Sequence, residues 1–204
     1  MTVDRIEVFS SAAPLTLLWL GLLSQVSSYS IRYCPYCKFS VQTDPPQAVV
    51  ELVPGGLDTN ITGSLFMEQG RFGVFVKGEI IGLSPGHHGF HVHMTGDTGD
   101  GCKAAGGHFN PDNHQHSHPG SPARHAGDLG NILTLEGSPL TLVSLVDTVI
   151  TLGDGGERDV AGRAVVVHAG QDDLGQGAGD AAEESKKTGN AGARVACGVI
   201  KLLN

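Results

Sequence analysis

The sequence lacks several features typical of common protein classes. It shows no sustained helical periodicity, so helices are not expected to dominate the fold. Basic residues are few, since 13 lysines and arginines stand against 21 aspartates and glutamates, which gives a net charge of −8. That charge argues against binding nucleic acid through a generally basic surface, although it is compatible with a local positive funnel.

Glycine and proline are plentiful. The 204 residues fit one domain plus an extension, and 40% hydrophobic residues are enough for a sizeable core. The 30 glycines and 10 prolines separate short runs of Val, Leu and Ile, a pattern that indicates many short strands joined by turns. We predict strands over 48–53, 61–69, 74–81, 89–94, 132–135, 141–145, 148–152, 162–168 and 194–203.

Two long segments, 95–129 and 169–192, contain no core-like run. Loops of this length inside a compact domain are expected to be functional or ordered by a metal. Short strands with two long functional loops predict an all-β fold, an antiparallel β-sandwich or flattened barrel.

The N-terminal region is typical of a targeting segment. Residues 12–23 form an apolar run of the length found in signal peptides, and small residues follow at 24–28, although the preceding region lacks the usual positive charge. The run is too short and too interrupted by Gly and Pro for a membrane span of roughly 20 residues. We predict a signal peptide over about 1–28, an extension over 29–46, a domain over 47–204, and secretion. A membrane anchor and a buried N-terminal segment remain alternatives.

The sequon at Asn60 is compatible with secretion and predicts N-glycosylation. Cys34 and Cys37 have the spacing of redox-active dithiols, yet no βαβ pattern follows them, so a structural disulfide or an interchain link competes with thiol exchange or metal binding. In an oxidising compartment Cys102 and Cys197 could close a loop of about 95 residues, worth about 4 kcal/mol in the chain-entropy model. We interpret that pair as structural.

Histidine is concentrated in one region, because nine of the ten histidines lie between His87 and His125. On a strand, His91 and His93 point to one face while the residues between and before them point to the other. Such a pair also occurs by chance. His108 and His125 come from the first long loop, however, and His168 ends an apolar run.

Three or four imidazoles without a thiolate suit Cu(II) or Zn(II), and Asp128 adds a carboxylate that zinc accepts. The histidines as a group therefore predict a metal site rather than a merely polar loop.

Taken in order, these segments resemble copper/zinc superoxide dismutase over about 49–202: Gly-Phe-His91-Val-His93, Gly-Gly-His108-Phe-Asn-Pro, Arg-His125-Ala-Gly-Asp128, Val-Val-Val-His168, Asp172-Asp-Leu-Gly and Ala-Arg194-Val-Ala-Cys197. The resemblance implies a Greek-key, immunoglobulin-like β-sandwich. It also implies that the protein converts superoxide to O2 and hydrogen peroxide for antioxidant defence. In that reaction a His-ligated copper is alternately reduced and reoxidised beside a structural zinc.

The resemblance also implies which residues hold each metal. The copper ligands would be His91, His93, His108 and His168, and the zinc ligands would be His108, His116, His125 and Asp128. His108 would thus bridge both metals. His116 is chosen for its spacing from His108, and its neighbours His114 and His118 are interpreted as solvated loop residues.

Further roles follow from the same resemblance. Asp172 would tie a copper-side histidine to a zinc-side one, and Arg194 would position the small anion. The charged residues Glu183, Glu184 and Lys187 would form a lip that steers the substrate. A homodimer and copper delivery by a chaperone are also expected, although Met94 and Thr95 depart from the family pattern close to the subunit contact.

Two rival functions remain open at this point. A copper chaperone with a dismutase-like domain would also carry an N-terminal Cys-x-x-Cys, but the segment before the domain is too short for a separate copper-carrying fold. A noncatalytic secreted metal-binding protein would have no need of Arg194 beside a full set of copper ligands.

Overall fold

The chain forms an antiparallel β-barrel with long loops in the computed structural model, which describes residues 44–55 and 60–203. The predicted signal peptide, Cys34 and Cys37 lie outside these residues. Two 3-10 turns cover Lys103–Ala105 and Gly179–Ala181. The strands and the helix of the described part are β1 Gln47–Pro54, β2 Thr62–Gly70, β3 Gly73–Ile81, β4 Gly86–Val92, β5 Asp128–Thr134, β6 Leu140–Asp147, β7 Ala164–His168, α1 Ala182–Thr188, β8 Arg194–Val199 and β9 Lys201–Leu203.

The strand order confirms the predicted all-β class. Neighbouring strands run antiparallel in the order β5-β4-β7-β8-β1-β2-β3-β6, with β9 paired to β1. The two outer strands, β5 and β6, lie against each other, and the hydroxyls of Thr134 and Thr141 bond across them at 2.6 Å. The barrel is therefore nearly closed, and the connections from β3 to β4 and from β6 to β7 cross it as in a Greek key.

The main core fills the inside of the barrel. Side chains at alternate positions point inward, as Ala48, Val50 and Leu52 do on β1. Strand β7 is buried on both faces. Val165 and Val167 belong to the main core, whereas the outer-facing residues form a second cluster, Cys102, Ala105, Ala164, Val166 and Cys197. The first long loop thus packs on the outside of β7 and is held there.

Some predicted elements differ from the structure. The strand predicted over 148–152 is wrong, because the Asp147 carboxylate accepts hydrogen bonds from the backbone N–H groups of Val149 and Ile150 and turns the chain. The final strand is divided at Ile200, which is buried and bonds to the backbone of Arg163 rather than to a strand. Helix α1 was not predicted, since seven residues are too few to show helical periodicity.

None of the helices in residues 44–55 and 60–203 has the length and apolar character needed to cross a membrane.

Candidate metal centre

Four buried histidines come together at one side of the barrel. His91 lies on β4, His93 follows the end of that strand, and His168 ends the neighbouring strand β7. His108 belongs to the first long loop and pairs with His93 through an isolated β-bridge. Each ring offers one nitrogen to a group whose atoms all lie within 4.8 Å of one another. We call these four residues the first cluster.

Backbone carbonyls determine which nitrogen faces the first cluster. The Nδ1 atom of His93 lies 2.9 Å from the carbonyl of Gly106, and Nδ1 of His168 lies 3.1 Å from that of Gly192. A carbonyl only accepts, so both Nδ1 atoms carry the proton. The two Nε2 atoms, 3.4 Å apart, are therefore left with free lone pairs in the cluster.

His91 is oriented the opposite way. Its Nε2 donates to Asp172 at 2.9 Å, which leaves Nδ1 with the lone pair. That Nδ1 atom and Nε2 of His108 are buried without a hydrogen-bond partner. Buried polar atoms are nearly always paired, so two unpaired nitrogens in one cluster indicate that a ligand binds there.

A second cluster surrounds one carboxylate oxygen. Oδ1 of Asp128 lies 2.8 Å from Nδ1 of His108, 2.9 Å from Nδ1 of His116 and 3.1 Å from Nδ1 of His125. Although close, Nδ1 of His116 is not aligned for a hydrogen bond and has no partner. We call these four residues the second cluster, and all of them are buried.

The two donor sets fit the metals that the sequence predicts. Four imidazoles suit copper, and three imidazoles with one carboxylate suit a four-coordinate zinc. His108 belongs to both clusters. Because its Nδ1 lies against Asp128, its Nε2 is the atom that faces the first cluster.

Asp172 links the clusters through hydrogen bonds. Its two oxygens accept from Nε2 of His91 at 2.9 Å and from Nε2 of His116 at 2.7 Å. The side chain of Asn131 in turn exchanges two 2.8 Å hydrogen bonds with the backbone of Asp172. The side chains of His91, His116 and Asp172 also lie close enough together to hold a metal. Because Nε2 of each histidine carries a proton that it donates to Asp172, a hydrogen-bonded link is the better interpretation.

Burial keeps the first cluster uncharged. Desolvation, with a contribution from the nearby His108, lowers the pKa of His91 and of His93 well below 6.5. Burial also lowers the pKa of His108, and it lowers the pKa of His168 to about 4. Metals bind the unprotonated imidazole, so the first cluster is prepared for a metal at neutral pH.

The second cluster behaves differently because it contains a carboxylate. Burial alone would lower the pKa of His116, but the close contact with the Asp128 carboxylate and the hydrogen bond to Asp172 outweigh it and raise the pKa to about 9. Burial likewise opposes ionisation of Asp128, yet hydrogen bonds from His108 and His125 and the close contact with His116 hold the pKa of that carboxyl well below its usual range. Asp128 is therefore ionised at every physiological pH, as a metal ligand must be.

A cleft of about 440 Å³ opens onto the first cluster. The guanidinium of Arg194 lies at its wall, and its nitrogens donate to the carbonyls of Cys102 and Gly106, both at 2.6 Å. The disulfide between Cys102 and Cys197 has a Cα–Cα distance of 6.0 Å and joins that loop to β8, which carries Arg194. The charge of Arg194 is thus held at a fixed place beside the histidines.

Only two of the three residues predicted to form the charged lip line this cleft. Glu184 and Lys187 line it, together with Thr188 and Asn190. Glu183 instead lines a neighbouring cleft with Lys186, and Lys187 borders both.

The structure also distinguishes the three alternating loop histidines. His116 is buried in the second cluster, whereas His114 and His118 are exposed. Sequence reasoning did not find Asn131, nor the carbonyls of Gly106 and Gly192 that orient two rings. A backbone acceptor has no sequence signal, and Asn131 is marked only by its place after the Gly-Asp-Leu-Gly run.

The fold and the two clusters define a class, an antiparallel β-barrel protein with a paired histidine metal centre. The sequence model of the family described as copper/zinc superoxide dismutase (SODC) matches residues 61–200. The chain therefore belongs to the copper/zinc superoxide dismutase family, oxidoreductases that use copper and zinc to convert superoxide to O2 and hydrogen peroxide.

Individual relatives agree with that membership. The chain is 49% identical over 144 residues to an extracellular Cu-Zn superoxide dismutase of Brugia pahangi, which covers 70% of each chain. It is 48% identical over 155 residues to one of Haemonchus contortus, covering 76% of this chain and 81% of the relative. A solved structure titled as the clock protein EA4 is similar with a TM-score of 0.70 and 42% identity, covering 81% of this chain and 100% of that one.

The metal-free protein should show a pH dependence that originates at His116. The pKa of His116 is near 9 in the folded state, against 6.5 for an ordinary histidine. Its protonation therefore adds to the free energy of unfolding, and this contribution is fully present below pH 6.5. That contribution, about 3 kcal/mol at most, is lost as pH rises through 9. Histidine ring signals in NMR spectra of chelator-treated protein, assigned with His116→Gln, measure this directly. A ring that titrates near pH 6.5 would contradict it.

Proposed function

We propose that the chain is a secreted superoxide dismutase in which the first cluster holds copper and the second cluster holds zinc. The observation that carries this proposal is the position of His108, which presents Nε2 to one cluster and Nδ1 to the other. A single imidazole with both nitrogens directed at separate donor sets is suited to bridging two metals. The five remaining histidines of the clusters and Asp128 complete the two sites without any thiolate.

The chain's own residues would prepare and complete each turnover. The first cluster would hold copper, which would supply the one-electron redox chemistry that oxidises one superoxide and reduces a second, and the second cluster would hold the redox-silent zinc. Arg194 attracts the small anion into the cleft and holds it beside His93 and His168, since the guanidinium is fixed by two carbonyls. Nε2 of His108 takes up one proton and returns it to the reduced anion. A second proton arrives from solvent in the cleft, so two superoxides and two protons give O2 and hydrogen peroxide.

The surroundings of the cleft support a role in guiding an anion. Lys187 and Arg194 place two positive charges around the cleft of a protein whose net charge is −8, and Glu184 limits the field to its mouth. A local positive field in such a cleft raises the encounter rate of small anions. Glu183 would act at longer range, from the adjacent cleft.

We also propose secretion, with a signal peptide over about 1–28 and glycosylation at Asn60. Two relatives carry the word extracellular in their names, and Asn60 is exposed just before β2. The homodimer and the delivery of copper by a chaperone rest on the family resemblance alone. The rival functions, a dismutase-like chaperone and a noncatalytic metal-binding protein, are less well supported because Arg194 is fixed at the cleft that opens onto the complete first cluster.

Replacing His93 with Ala should abolish dismutation, because it removes one of the four imidazoles of the first cluster. Superoxide consumption would be measured at equal copper and zinc loading. His118→Ala is the matched control, since His118 is an exposed histidine outside both clusters, and it should retain activity. Unchanged superoxide consumption by the His93 variant would overturn the enzymatic assignment.

Charge at Arg194 should matter more than charge at Lys187. Arg194→Gln should lower kcat/KM by about tenfold or more, because a fixed positive charge next to the reacting anion is lost. Arg194→Lys keeps the charge and should lose less. For Lys187→Gln we expect a smaller loss that fades as ionic strength rises to about 0.15 M, where charges beyond roughly 8 Å are screened. Equal losses in the Gln and Lys variants of Arg194 would contradict a role for its charge.

The N-terminus of the secreted protein tests the proposed processing. Mass spectrometry of material exported by a eukaryotic host should find a first residue between about Gln25 and Ser30. Exported protein that still begins with Met1 would refute cleavage. Removal of N-glycans should lower the mass of the wild type but not of Asn60→Gln.

A further inference from the structure

One buried, positively charged side chain, that of Arg124, lies next to the second cluster. Arg124 precedes His125 in the chain, and only 3% of its surface is exposed. A buried charge is costly unless it is fully paired and hydrogen-bonded. The partners of Arg124 therefore show what its burial achieves.

Three of those partners are carbonyls of a single turn. Nη1 of Arg124 donates to the backbone oxygens of His125 at 2.9 Å, Ala126 at 3.0 Å and Asp128 at 3.0 Å. Two of these three residues, His125 and Asp128, belong to the second cluster. All three carbonyls accept from the same guanidinium nitrogen, so the backbone of the turn is fixed. The directions in which the side chains of His125 and Asp128 leave that backbone are therefore fixed relative to each other.

The remaining donors tie this turn to the rest of the molecule. Nε of Arg124 donates to the carbonyl of Pro119 at 3.0 Å, and Nη2 donates to Oδ2 of Asp147. Asp147 is itself 3% exposed and ends strand β6, where its other oxygen accepts from the N–H groups of Val149 at 2.8 Å and Ile150 at 2.9 Å. The turn is thus anchored to the barrel through a buried ion pair.

The turn held by Arg124 brings two residues of the second cluster, His125 and Asp128, into contact. Nδ1 of His125 and Oδ1 of Asp128 lie 3.1 Å apart, and the backbone N–H of His125 donates to Oδ2 of Asp128 at 3.0 Å. The first cluster receives its side chains from β4 and the residue after it, from β7 and from the loop at His108. None of its members belongs to the turn that Arg124 holds.

We propose that Arg124, held by Asp147, is the positioning residue of the second cluster and sets its metal affinity without setting that of the first cluster. This inference rests on the proposed assignment of the second cluster as the zinc site. A planar guanidinium can donate to several carbonyls and a carboxylate together, whereas an ammonium on a flexible stem cannot reproduce that fork. Arg124→Lys therefore keeps the charge but should loosen the turn.

Cobalt(II) provides a test that does not depend on activity, because its visible spectrum reports the geometry of a four-coordinate site. With the first cluster loaded with copper, wild-type protein should bind one Co(II) per chain, which zinc displaces. In Arg124→Lys the affinity for Co(II) and zinc should fall by about tenfold or more. The Co(II) spectrum should change in shape, while the copper affinity changes less than about threefold. Asp147→Asn should give the same pattern to a smaller degree.

Arg158→Lys is the matched control. Arg158 forms an exposed ion pair, at 3.0 Å, with Asp112, which lies in the same long loop as Arg124. This variant should leave the Co(II) affinity and spectrum unchanged. Failure of the wild type to bind Co(II) at the second cluster would reject the zinc assignment itself. If the wild type binds but Arg124→Lys binds equally well with the same spectrum, or loses copper and zinc affinity equally, the positioning role is overturned.

Discussion

The proton positions on the cluster histidines are fixed by hydrogen bonds, and the whole centre depends on that constraint. A carbonyl holds the proton of His93 on Nδ1, and a carboxylate holds that of His91 on Nε2. His108 has Nδ1 against Asp128 and Nε2 directed to the first cluster. If any of these rings took the other tautomer, it would present a proton where a lone pair is needed.

The barrel and the long loops contribute different parts of the centre. The barrel places His91 and His168 on adjacent strands and excludes water from them, so that burial keeps them neutral. The long loops supply the acceptors. The first loop is held to the barrel by the disulfide of Cys102 and by the buried pair of Arg124 and Asp147. The second loop is held by the hydrogen bonds between Asp172 and the side chain of Asn131 on β5. Strong burial and fixed loops together keep the four rings of the first cluster uncharged and oriented for a metal.

Much of the fold was predictable because alternation and turn residues are local signals. The face shared by His91 and His93 follows from strand geometry alone. The strands predicted over 61–69 and 74–81 are present and pair as a hairpin through Gly70 and Gly73. The break at Ile200 was not predictable, since it depends on a contact with the distant Arg163. In the site, the family resemblance suggested His116 over its two neighbours. The roles of Arg124 and Asn131 became visible only through contacts that the sequence does not encode locally.

The most direct test of the account is the dependence of superoxide consumption on copper. Metal-free protein would be loaded with one zinc per chain and then with increasing amounts of copper, with both metals quantified in each sample. Activity should rise in proportion to copper, stop rising at one copper per chain, and disappear when copper alone is removed. Activity that does not depend on copper, or binding of both metals without any superoxide consumption, would contradict it.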